Sequence, residues 1–174
     1  SGLKAGLQGV VGLLGVAAFA RFTNQALKSA DAIGKTADRL GITTTALQTY
    51  RFAAEQSGLS TQELETSIEA FSRRLGDAKK GMGLAKTELD NLGIAFTDSN
   101  GNMKSTDQLI GEVADKLAGM KDPTEKMSTA MSLFGRSGLK MVNMLQGGSE
   151  GLAKLRNELT ETGGVLGEQF IRDS

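Results

Sequence analysis

From Gly41 onward glycine interrupts this chain at short intervals, and many of these glycines fall where an apolar helical period ends. A residue without a Cβ costs roughly 1 kcal/mol inside a helix but ends one readily, because it accepts the left-handed conformation that closes the last turn. Short helices of this kind are marginal alone, so they must pack against one another. The pattern predicts a compact, mainly α bundle of short helices rather than one long rod.

The starts agree with the stops. Thr43 is placed to cap a helix, TTALQTYRFAAEQ, that ends at Gly58. Ser60 with Glu63 forms a capping-box pattern, and Leu64, Ile68, Phe71, Leu75 and Ala78 follow at helical spacing up to Gly81. Ser105 with Gln108 opens a helix bearing Leu109, Val113, Leu117 and Met120. Asp122-Pro123-Thr124-Glu125 opens another, with Met127, Ala130, Met131 and Phe134 as its apolar set and Gly135 as its stop. A short period from Leu139 to Leu145 closes at Gly147-Gly148, and a charged amphipathic helix from about Ser149 to Thr162 closes at Gly163-Gly164. The starts GITTTAL and GLSTQEL repeat one pattern, too short and too isolated for a solenoid.

Composition narrows the chemistry. The 174 residues contain no histidine and no cysteine, which removes zinc sites built on them, thiol nucleophiles, Ser-His-Asp triads, disulfides and haem or iron–sulfur ligation. Twenty basic residues balance 20 acidic ones, leaving no net field to draw the chain onto nucleic acid or an anionic membrane. With 23 glycines, seven methionines and no tryptophan, the core is expected from leucine, isoleucine, alanine and methionine, which suits adaptable packing more than a shaped pocket.

The segment before Gly41 reads differently. Ala5 to Ala20 carries no charge, but its 16 residues fall short of the roughly 20 that span a bilayer as a helix. A signal peptide fits poorly, since only Lys4 precedes the apolar run. Leu3, Leu7, Val10, Leu14 and Ala17 alternate at four and three residues, the seam of a helix pair, while Gly6, Gly9, Gly12 and Gly15 offer close approach on another face. Three readings stay open: a long packed or self-associating glycine-rich helix, a membrane-active segment, and disorder. The domain organisation expected is an apolar helical arm over 1–38, a compact helical domain over 39–164 and a tail over 165–174.

One stretch, FTDSNGNMKSTD from Phe96 to Asp107, crowds acidic and amide side chains around a glycine as a calcium loop does. With Gly101 as the sixth loop position, Phe96 falls on the first ligand; with Asp98 first, Met103 takes the glycine position and Leu109 the bidentate acid. Neither register works. Asn100-Gly101 is instead a favoured pair for a two-residue type I′ turn, so a small β-hairpin is expected near 94–104, with Phe96 and Met103 lying on the helices.

No other constellation supports catalysis. Glu63 with Glu65, or Asp90 with Asp98, are formal carboxylate pairs, but acids at helix starts and on polar faces are usually solvated. Lys79-Lys80-Gly81-Met82-Gly83 lacks the spacing of a phosphate loop and reads as a helix end, and Arg73-Arg74 and Arg136 have no aromatic interleaving for nucleic acid. No cofactor or metal is expected.

The order of the pieces carries a resemblance. ADRLGITTTALQTYRFAAEQSGLSTQELE, then LGIAFTDSNGNMKSTDQLIGEVADKLAGMKD, then AMSLFGRSGLKMVNMLQGG resembles the conserved segment of phage tail length tape measure proteins over about residues 37–164. The resemblance implies a structural, non-enzymatic protein held in the lumen of a phage or prophage tail, with host cytoplasm as the site of assembly. It implies as partners the tail tube protein, tail assembly chaperones and tail-tip or baseplate hub proteins, together with self-association, contact with the host membrane and no specific nucleic acid. Members leave the tail ahead of the DNA and assist its passage across the envelope; the family offers no catalytic residues. The competing class is a bacterial helical interaction or membrane-active protein that uses the apolar start.

Overall fold

The computed structural model describes residues 30–165 together with 167 and 171. Eight helices and no strands occur among them: α1 (Ala30–Leu40), α2 (Thr44–Gln56), α3 (Thr61–Lys79), α4 (Leu84–Asn91), α5 (Thr106–Gly119), α6 (Pro123–Phe134), α7 (Gly138–Leu145) and α8 (Gly148–Glu161). The long glycine-rich helix expected at the start, with Gly6, Gly9, Gly12 and Gly15, lies outside the described residues.

Local chemistry sets most boundaries. Thr43 Oγ1 accepts from Ala46 N at 3.1 Å, and Asp122 Oδ1 accepts from Thr124 N at 2.8 Å, so α2 and α6 begin at side-chain caps. Ser60 and Glu63 form the reciprocal capping box at α3, with Ser60 N donating to Glu63 Oε2 at 2.9 Å. Ser105 and Gln108 repeat it at α5. Each such cap supplies a partner to main-chain donors that the first turn leaves unpaired, worth about 1 kcal/mol. Three stops share one geometry: Ile42, Leu59 and Ile94 donate to carbonyls five residues back, across Gly41, Gly58 and Gly93. All three apolar residues are buried, so the glycine turns the chain and the next side chain pins the turn to the core.

A single core joins all of this. α3 is its spine, with Leu64, Ile68, Phe71 and Leu75 buried along one face, and it packs against α1, α2, α4, α6 and α7. Phe71 meets Phe134 of α6 with ring centroids 5.1 Å apart. α5 buries Leu109, Ile110, Val113 and Leu117 between α7 and α8. α1 supplies Ile33, Ala37 and Leu40 to the same core, although most of it lies within the residues assigned above to the arm. Ile171 is also buried in that core, beside Gly34, where an added Cβ would stand 3.2 Å from Ile171 Cγ2.

Two expectations are corrected. The β-hairpin near 94–104 is absent: one isolated antiparallel bridge, Thr97 with Met103, is all the pairing there is. Asn100 does not take positive φ, so no type I′ turn forms; only Gly101 does, at +81°. Asp98 explains the difference, because its Oδ1 accepts from Asn100 N at 2.8 Å and from Asn102 N at 2.9 Å. Those local bonds draw the backbone into a five-residue loop instead of a ladder. Phe96 packs on the core, but Met103 is exposed.

The second correction concerns α6. Met127 and Met131 are 39% and 46% exposed, and the buried face is Thr129, Ala130, Leu133 and Phe134. The Phe71 contact and a close crossing with α7 fix the rotation of α6. At that crossing a Cβ on Gly138 would stand 2.6 Å from Met131 N and 2.7 Å from Ala130 C, so only glycine fits.

Candidate functional site

The loop from Phe96 to Asp107 is one rim of a cleft of about 490 Å³ whose other walls are α2, α5 and α8. Phe96 anchors the loop on the core, and Lys104 N donates to Phe96 O at 2.8 Å. Lys104 then reaches α5, with its Nζ 2.7 Å from Glu112 Oε1. Asn100 and Gly101 sit at the loop tip and do not line the cleft; Asp98 does. Its carboxyl is held below the usual carboxylate range, first by the bond from Asn102 N and then by that from Asn100 N.

Tyr50 of α2 is 4% exposed, and its hydroxyl donates to Asp107 O over 3.4 Å. Burial raises the Tyr50 pKa, the Asp107 charge adds to the rise, and Arg156 of α8 opposes it. The phenol therefore stays neutral and acts as a wall, not as a base. Asp107 Oδ1 is buried without a hydrogen-bond partner. Across the cleft, Asp115 of α5 accepts from Ser149 N and Ser149 Oγ, both at 2.7 Å, and so caps the start of α8 from another helix. Gly148 takes φ +65° there, where an added Cβ would meet Asp115 Oδ1 at 2.6 Å.

The lining holds five carboxylates against two cations, above an apolar floor of Ala46, Leu152 and Ala153. No group of histidines, cysteines or acids among the described residues is placed to hold a metal ion. The formal acid pairs do not converge. Glu65 lies between Arg51, at 2.6 Å, and Arg39, at 3.1 Å, tying α3 to α2 and α1, whereas Glu63 pairs with Lys140 of α7 at 2.7 Å. Asp90 pairs with Lys86 on its own helix. The cleft can receive a cationic or mixed basic and apolar group. Sequence spacing gave no sign of it, because Tyr50, Asp107, Asp115 and Arg156 come from three helices. Among the described residues no helix is long and apolar enough to cross a membrane.

The family described as "Phage-related minor tail protein" matches residues 13–135, ending at the stop of α6. A tape measure protein of Pneumococcus phage Dp-1 is 27% identical over 113 residues, 64% of this chain and 10% of that protein. The matched stretch thus spans about a tenth of that relative's length. No solved structure matches.

Proposed function

We propose, from the premise that this chain belongs to the phage-related minor tail protein family, that it is a folded module of a tape measure protein, acting in tail assembly rather than in measuring length. A structural role in a phage tail follows from the family; the division of labour is our reading. The observation that carries it is the arrangement of the helices. A ruler needs continuous helix, gaining about 1.5 Å per residue. The longest described helix, α3, has 19 residues, and it is the spine of a shared core instead of a link in a rod.

In this reading the module spans residues 30–164 with Ile171, and the preceding apolar stretch leads from it to other parts of a longer chain. It works in the tail lumen with the tube protein, the assembly chaperones and the tip or hub proteins, and takes no part in catalysis. Departure of the protein ahead of the DNA and contact with the host membrane would fall to the apolar stretch and to regions beyond this chain. Deleting residues 41–164 from the full-length protein is the test. Loss of tail initiation or of infection is expected; tails shortened in simple proportion to the residues removed would contradict the reading.

A further inference from the structure

We infer that the turn between α3 and α4 docks into the cleft of a second copy of this chain. The turn is an exposed basic and apolar tip: Met82 is 57% and Leu84 71% exposed, and Lys79 and Lys80 are exposed beside them. Neither lysine makes an ion pair among the described residues. The tip is ordered by its own backbone, with Gly81 N donating to Ala78 O at 2.9 Å and Met82 N to Asp77 O at 3.1 Å. Two large apolar side chains held out in water by an ordered turn gain free energy from any fitting apolar surface.

The cleft offers that surface with the opposite charge. Its apolar floor suits Met82 and Leu84, and its volume lies in the roughly 300–1,000 Å³ range of binding clefts. Its carboxylates outnumber its cations by five to two; Glu150 makes no ion pair among the described residues, and Asp107 Oδ1 has no hydrogen-bond partner. A molecule cannot readily fill its own cleft, because α4 packs on α3 and α6 whereas the cleft walls are α2, α5 and α8. Tip and cleft are different patches, so the contact either is made twice across a two-fold axis or repeats head to tail, closing into a ring or continuing as a row. The contact rests on these two surfaces and not on the family reading.

Absence of cysteine from the whole chain makes the test direct. A Met82→Cys chain is mixed with an Ala153→Cys chain under mild oxidation, and with a Glu125→Cys chain as the control. Disulfide-linked dimer is expected about tenfold faster for 82 with 153 than for 82 with 125. Adding Lys79→Glu and Lys80→Glu to the first chain should slow it about tenfold, and adding Glu112→Lys and Glu150→Lys to the second should then restore it. Circular dichroism on each chain establishes that the variants are folded. Cross-linking at the control rate, including the case in which the tip binds anionic vesicles instead, would overturn the inference, as would cross-linking indifferent to the charge reversals.

Discussion

The α6–α7 joint and the α3–α4 joint are each built on two glycines close together, Gly135 with Gly138 and Gly81 with Gly83, yet they are physical opposites. At α6–α7 the glycines let two helices meet: Gly135 ends α6, and Gly138 brings α7 onto the backbone of Ala130 and Met131. Arg74 of α3 donates to Met131 O, and Lys140 pairs with Glu63, so the joint is clamped from outside. At α3–α4 nothing lies within 4 Å of a Cβ added to Gly81, and the residues beside it point into water. The first joint needs glycine for space at Gly138 as well as for conformation at Gly135, and the second needs it for conformation alone. Glycine in a sequence does not distinguish the two.

Substitution separates them most sharply at Gly138. Gly138→Ala adds a Cβ into backbone atoms that cannot swing aside, so α7 must shift away from α6. A loss of about 2–4 kcal/mol is expected, read as a fall of about 2–4 °C in Tm per kcal/mol. Thermal unfolding within 1 °C of wild type, on the order of measurement error, would show that the crossing is looser than described.

Gly81→Ala is milder, since there is room for the methyl group and only φ of +80° opposes it. A cost of about 1 kcal/mol is expected, and Gly81→Asn should recover part of it, because asparagine tolerates this conformation better. A larger loss than at Gly138 would reverse the comparison.

The smallest effect concerns the clamp. The Glu63 carboxyl is lowered to about 2, chiefly by the bond from Lys140 and then by those from Ser60. A carboxyl depressed in the folded state contributes stability that is fully present above its unfolded value of about 4.3 and is lost as pH falls toward the folded one. The Tm difference between wild type and Glu63→Gln should therefore be constant above about pH 5 and shrink between about pH 4 and 2. Because the pair is solvent-exposed, added salt should reduce the difference too. A difference that grows on acidification would remove Lys140 as the partner.

Legibility followed the range of the forces. Caps at Thr43, Ser60, Ser105 and Asp122 act within three residues, and the sequence placed each of them. The stops Gly41, Gly58 and Gly93 are equally local, since the residue that follows each one bonds back across it. The 96–104 loop misled because two local signals compete there, the turn preference of Asn100-Gly101 and the carboxylate of Asp98 accepting main-chain donors, and the second won. Helix α4 leaves little signal in the sequence, since it is short, starts after Gly83 without a side-chain cap and buries only Ala85 and Leu89.

The cleft was invisible for a different reason. Asp115 caps α8 from 34 residues away, and Tyr50 meets Asp107 across 57. Spacing along the chain carries no trace of such pairs.

What the sequence determined by itself was a mainly helical chain, where most of its helices begin and end, and the order of pieces that marks the tail protein family. Those features depend on backbone donors, capping side chains and glycine conformations within a turn of one another. The tertiary structure alone decided which face of α6 is buried, which glycine is a contact and which a pivot, and that an acidic cleft exists. Burial and net surface charge are properties of residues brought together from distant positions, and only packing the core brings them together.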